Sequence, residues 1–423
     1  MKSFPGLLVA GFMLTLTLQV QAQKERVSLP ELPDLLQMKD GTTVRDAGDW
    51  MMGRRAEILE LFRKEVYGWF PESMPGSANP SPICVTSVID SQFLGGKATL
   101  EEIHCTLHAQ GRTKDFRILL ILPKTITPVP LFTGLNFYGN HTIHPHPGIT
   151  VHQDWVKNNP SFHITGHRAN AQSRGVRSFR WPVKTIIERG YGLATVYYGQ
   201  FDPDYDDGFE NGFHPLFANG DPQENKSYPG SISIWAKGMS LMLDVLLEDD
   251  RIASGSVIAI GHSRLGKTAL WAAANDSRFA GTVSNNSGCG GAALSMRKQG
   301  ETIADINRNF PHWFCNRFNR YSDNESRLPV DQHMLLALIA PRPVYVASAT
   351  EDQWADPEGE FLALREAVKV YPLFGIESAF PEEMPPPDQA FSGIAGYHIR
   401  TGEHNILESD WLMYMNWADR WIR

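Results

Sequence analysis

The sequence predicts an α/β fold, with a doubly wound, mostly parallel sheet opened by antiparallel N-terminal strands and held between helices in a three-layer αβα sandwich. Three observations carry that prediction. Residues 256–274, SVIAIGHSRLGKTALWAAA, read as a short apolar strand, a glycine-bounded turn and a helix whose apolar residues repeat on one face. From residue 129 onward apolar runs alternate with helical patterns, as βαβ crossovers do. Residues 83–122 instead alternate apolar with polar positions, the signature of antiparallel strands.

Taken in order, residues 1–22 carry Lys2, an apolar core from Leu7 to Leu18 and the small-x-small end Val20-Gln21-Ala22, which reads as a secretory signal. Gln23 stands where a lipid anchor would need cysteine. Residues 23–423 then read as a single catalytic domain. It begins with an extended entry segment to residue 50 and a helix over 50–70. Strands follow over 83–89, 95–107 and 113–122. The βα region runs through a strand at 129–137, a helix at 183–189, a strand at 192–198 and a helix at 232–247. The central strand 257–260 comes next, then strands at 281–285 and 343–347 and helices at 361–370 and 411–421. No repeat or low-complexity linker divides it. Long insertion loops near 140–181, 200–229 and 288–328 interrupt it, and loops of that length usually serve function. Their Phe162, His163, Arg168, Arg177, Trp181, Phe213 and Trp313 are candidates to line a cleft.

Forty-seven acidic residues against 39 basic ones give a net charge of −8, and loss of Lys2 with the signal makes the balance more negative. That excludes nucleic acid as a natural partner. A hydrophobic share of 42% suffices for a large core. The chain is expected to be a secreted or periplasmic monomer with no membrane contact once the signal is cleaved. Disulfides are allowed in such a compartment, and the short-loop pairings of the four cysteines join Cys84 to Cys105 and Cys289 to Cys315; buried free thiols are the alternative.

The turn Gly261-His262-Ser263-Arg264-Leu265-Gly266-Lys267-Thr268 satisfies two patterns at once. As a nucleophile elbow it presents Ser263 above the sheet, with the backbone N–H of Arg264 facing a developing oxyanion. As a phosphate-binding loop it would place Lys267 on phosphates and Thr268 on magnesium. The rest of the chain favours the elbow. A serine nucleophile needs a base and an orienting acid, and α/β hydrolases deliver them in the order Ser, acid, His. Here Asp352 follows the apolar strand ending at Ala347, and His404 follows Gly402 just before the last helix. Among the nearby carboxylates, Glu351 reads as a solvated neighbour and Asp356 as a cap before Pro357. His333 precedes the acid-bearing strand; its expected work is a buried hydrogen bond, with Asp331 as partner.

These motifs resemble the glucuronoyl esterases, which cleave esters between (4-O-methyl-)glucuronic acid of xylan and lignin alcohols. The family's G-[CH]-S-R-x-G-K is Gly261 to Lys267 here, and Asn286-Ser-Gly-Cys-Gly-Gly291, Leu328-Pro-Val-Asp-Gln-His333 and Trp354-Ala-Asp-Pro are similar to bacterial members. The resemblance implies a serine esterase that needs no cofactor or metal, acting on glucuronoxylan or lignin–carbohydrate esters. It assigns the oxyanion to Arg264 and substrate contacts to Lys267, Glu301 and Trp354. Many members carry the acid as glutamate where this chain has Asn286, so Asn286 is expected to be a bystander and Asp352 the acid. The alternatives are another carbohydrate esterase of the same fold, such as an acetyl xylan esterase, and more distantly a nucleotide-binding protein.

Overall fold

In the computed structural model, which describes residues 31–71, 80–217, 224–377 and 379–423, ten strands make one sheet. They are β1 (Ile83–Gln92), β2 (Ala98–Ala109), β3 (Arg112–Pro123), β4 (Val129–Asn136), β5 (Gly192–Tyr197), β6 (Ile252–His262), β7 (Gly281–Asn285), β8 (Val344–Ala349), β9 (Ala390–Ser392) and β10 (Ala395–Arg400). Their order is β1-β2-β3-β5-β4-β6-β7-β8-β10-β9. The first three form an antiparallel meander that joins β5 antiparallel, β5 through β10 in that order are parallel, and β9 closes the far edge antiparallel. Every residue of β4, β5, β7, β8 and β10 is buried, as expected of parallel strands covered by helices on both faces. The expected signal segment, residues 1–22, lies outside the described residues.

The helices that matter to the site are α1 (Arg55–Glu65), α2 (Val183–Glu188), α3 (Ser231–Leu246), α4 (Arg264–Asn275), α5 (Gln332–Ala337), α6 (Pro357–Ala367) and α7 (Glu408–Trp421). α4 buries Leu265, Ala269, Leu270 and Trp271, and Trp271 Nε1 donates to Ser233 Oγ of α3 at 2.8 Å. The helix expected over 50–70 ends at Glu65, because at Gly68, φ +82°, the chain crosses Tyr228 so closely that a Cβ would lie 2.3 Å from its carbonyl oxygen. Among the described residues no helix is long and apolar enough to cross a membrane.

Several expectations change. Cys84 and Cys105 face each other across β1 and β2 and form a disulfide, but Cys289 and Cys315 are buried free thiols, with Cys315 Sγ near Lys64 O and Cys289 Sγ near Ser295 Oγ. Phe213 does not line a cleft; it is buried against Phe116 and Phe201. His333 is buried, yet its Nε2 bonds the carbonyl of Pro33 at 3.0 Å rather than Asp331. Asp331 is occupied as the cap of α5 and as acceptor for the Ser295 and Met296 amides. β10 is a strand that its own residues do not announce. His398 and Arg400 make it look polar, but inside the fold both bond Asp410 of α7, at 2.8 and 3.1 Å.

Candidate active site

The turn between β6 and α4 has elbow geometry. Ser263 holds φ 60° and ψ −131°, a conformation that costs a non-glycine residue about 1–3 kcal/mol and that the neighbouring structure must enforce. Enforcement comes from close approach: a Cβ on Gly261 would lie 1.9 Å from Leu265 O, and Ser263 N donates to Asn285 O of β7 at 2.8 Å. The phosphate-loop alternative loses its ligands. Lys267 is 3% exposed and its Nζ donates to Ser287 O at 2.7 Å and Cys289 O at 2.6 Å, while Thr268 Oγ1 donates back to Arg264 O.

The loops after β8 and β10 bring the acid and the base together. His404 Nδ1 lies 2.5 Å from Asp352 Oδ2, and the same oxygen accepts from Asn286 Nδ2 at 2.8 Å. Asn286 is therefore not a bystander. At φ 48° just past β7, it donates to the buried Asp352 carboxylate and so orients it. Backbone bonds zip the two loops, from Thr350 N to Arg400 O and from Glu351 N to Gly402 O, both 2.9 Å. Arg400 also donates to the carbonyls of Thr401, Glu403 and Asn405, so the buried Arg400–Asp410 pair clamps the segment that carries His404. As expected, Glu351 is exposed and Asp356 caps α6, with Arg297 paired to it at 2.9 Å.

Ser263 Oγ makes no hydrogen bond to another described residue; the link to the base is through its neighbour, since the His262 ring lies 4.5 Å from that of His404. His262 Nδ1 sits 2.5 Å from Asn285 Oδ1, and Asn285 Nδ2 donates to Tyr414 OH. Burial, then the charges of Arg180 and His404, drive the His262 pKa well below its ordinary value, which keeps the ring neutral beside the base.

Arg264 is not a solvated surface residue. Its guanidinium pairs with Asp204 and stacks between Trp313, Phe310 and Phe137, with the Trp313 centroid 4.5 Å away. Asp204 accepts from Tyr198 OH at 2.7 Å, His312 Nε2 at 3.0 Å and Trp313 Nε1 at 2.8 Å. Burial alone would raise the Asp204 pKa; the Arg264 charge and these donors outweigh it and hold the carboxyl well below the usual range. With one side committed to Asp204, Arg264 keeps a buried Nε without a hydrogen-bond partner among the described residues.

The three expected substrate contacts also gather. Lys267 Nζ is 3.5 Å from Glu301 Oε2, Glu301 N donates to Trp354 O at 2.8 Å, and the Trp354 ring is 54% exposed. Glu360 was not foreseen. It is fully buried and accepts from Ser287 N, Gly288 N and Ser348 Oγ at 2.7, 3.0 and 2.6 Å, which fixes the turn that presents Asn286. Burial, with a further contribution from Asp352, pushes its pKa up to about 8. Asp204, Arg400 and Glu360 carry no local motif; only the fold brings them under the site.

Comparison with known proteins points one way. A family model described as glucuronyl esterase, fungi, matches residues 212–375. Carbohydrate esterase MZ0003, from an unknown prokaryotic organism, is 44% identical over 390 residues, covering 92% of this chain and 89% of the relative. A 4-O-methyl-glucuronoyl methylesterase of Phanerochaete carnosa is 27% identical over 355 residues, covering 82% of this chain and 73% of its own. Among solved structures, the glucuronoyl esterase from Solibacter usitatus superposes with a TM-score of 0.85 at 39% identity, covering 93% of this chain and 98% of that one. A promiscuous CE15 esterase from the marine bacterial metagenome gives 0.84 at 42%, with the same coverage.

Proposed function

The chain belongs to the glucuronoyl esterases of carbohydrate esterase family 15, carboxylic ester hydrolases that cleave esters of glucuronic acid, and from that premise we propose that it opens esters between (4-O-methyl-)glucuronic acid of glucuronoxylan and lignin alcohols through an acyl-enzyme on Ser263. One observation supports this reading above the others: a strained serine on the β6–α4 elbow, with a hydrogen-bonded His404–Asp352 pair on the loops after β10 and β8.

His404 gives its Nδ1 proton to the bond with Asp352, so Nε2 keeps the lone pair that removes the Ser263 hydroxyl proton. Ser263 Oγ then attacks the uronate carbonyl. The oxyanion develops toward the Arg264 amide and the exposed part of its side chain, which is 18% accessible. Collapse expels the alcohol, which takes the proton from His404, and water repeats the sequence to release glucuronate. The sugar on the acyl side meets the exposed Trp354 ring, backed by Glu301 and by Lys267, whose Nζ is engaged by Ser287 O, Cys289 O and Glu301 Oε2. Since Arg264 serves charge that exists only in the transition state, Arg264→Gln is expected to lower kcat by about two to three orders of magnitude while KM moves little. Steady-state kinetics on a glucuronate ester checks this.

We further propose that residues 1–22 direct export, that the mature enzyme works outside the cytoplasm, and that it acts as a monomer. The substrate reading is tested by comparing hydrolysis of methyl glucuronate, methyl galacturonate and acetylated xylan by the purified enzyme. Methyl glucuronate is expected to turn over fastest. Faster release of acetate from xylan would replace the reading with that of an acetyl xylan esterase.

A further inference from the structure

Residues 168–180 carry four arginines, and they divide into two kinds. Arg168 donates to Gln153 O, and Arg174 donates to His146 O at 3.2 Å and Ile149 O at 2.6 Å, so both serve to hold the loop. Arg177 and Arg180 have no side-chain acceptor and no carboxylate partner among the described residues. They lie against rings instead: the Arg177 guanidinium is 4.9 Å from the centroids of Phe162 and Phe179 and 5.7 Å from that of Tyr138, and Arg180 is 5.9 Å from Phe179. Arg180 Nε is buried without a hydrogen-bond partner among the described residues. The nearby Arg400, although paired with Asp410 at 3.1 Å, adds its charge to theirs.

Two half-buried cations side by side without a counter-charge are unfavourable. Accordingly, burial and then Arg177 bring the Arg180 pKa down to about 9. Their place in the site suggests what relieves this. Arg180 lines a pocket with Phe137, Trp181, His262, Ile406 and Trp411. The His262 ring lies 4.5 Å from that of His404, tilted by 42°, and Ile406 follows His404 by two residues, so the pocket lies on the side of the base. There the leaving oxygen must sit to recover its proton. The scissile carboxyl is esterified and uncharged in the substrate, so it is not the missing anion.

We propose that Arg177 and Arg180 form an anion-binding subsite for the leaving alcohol, suited to an aromatic alcohol that carries a carboxylate. Guanidinium groups recognise carboxylates through paired, charge-assisted hydrogen bonds, and Phe179, 49% exposed beside both arginines, offers apolar surface to an aromatic group. The inference rests on the esterase reading with Ser263 and His404.

The test uses the purified enzyme and glucuronate esters of benzyl, 4-carboxybenzyl and 4-carbamoylbenzyl alcohol at pH 7 and low salt. The 4-carboxybenzyl ester is expected to show a kcat/KM about tenfold above the uncharged carbamoyl isostere, mainly through KM. Added salt should shrink that preference. In the Arg177→Gln/Arg180→Gln double variant the ratio should fall to about one. Equal kcat/KM for the two esters in the unmodified enzyme, or a preference that survives in the double variant, overturns the proposal. If the double variant does not fold, the ratio and its salt dependence in the unmodified enzyme, and in each single variant, decide the matter. Failure to hydrolyse any of the three esters would instead overturn the underlying esterase reading, and the subsite with it.

Discussion

Asp352→Asn is expected to lower kcat on a glucuronate ester by about three to four orders of magnitude while the fold survives. Asp352 Oδ2 accepts both His404 Nδ1 and Asn286 Nδ2. An amide at 352 cannot accept from both with the strength of a carboxylate. If its NH₂ turns toward the ring, His404 must offer a lone pair at Nδ1, and Nε2 then carries the proton and cannot accept one from Ser263. The loss is one of tautomer and charge, so KM is expected to change little and circular dichroism not at all. The neighbouring carboxylates separate the roles. Glu351→Gln removes an exposed charge and should keep nearly full activity. Asp356→Asn weakens the α6 cap and the pair with Arg297, so it should appear first as a lower Tm. Asn286→Glu placed in the Asp352→Asn background should restore part of the rate, because position 286 already lies within hydrogen-bond reach of the acid arm. Retention of most activity by Asp352→Asn, with its loss in Asp356→Asn or Glu351→Gln, would move the acid elsewhere.

Much of this site is legible in the linear chain because its parts are local. The strand–turn–helix around Ser263 declares itself through Gly261, Gly266 and the apolar runs on either side. Asp352 is readable from its place after an apolar strand, and His404 from its place before the last helix. What escaped depends on long-range pairing. β10 looks polar because the partner that bonds His398 and Arg400, Asp410, belongs to a later helix. Asp204 sits 60 residues before Arg264, yet it decides how that guanidinium is held. Asn286 looked like a lost acid because sequence records only the change from carboxylate to amide. The structure adds that the amide now donates to the carboxylate at 352. The cysteines show the same limit: Cys84 and Cys105 meet because the β1–β2 register opposes them, whereas Cys289 and Cys315 end on different partners.

Ser263 carries the central claim, so its removal is the most direct measurement. Ser263→Ala deletes one oxygen from a position with no hydrogen bond to another described residue, so the variant should fold with an unchanged or slightly raised Tm. The oxyanion donors and the sugar contacts remain, and substrate should still bind. Only the acyl-enzyme route is lost, and with it most of the rate, roughly six orders of magnitude in a hydrolase of this kind. The decisive experiment measures release of benzyl alcohol from benzyl glucuronate by the folded Ser263→Ala enzyme, alongside binding of the intact ester by calorimetry. Binding is expected to be retained, with turnover about six orders of magnitude below that of the unmodified enzyme. Turnover within tenfold of the unmodified enzyme would show that Ser263 is not the nucleophile.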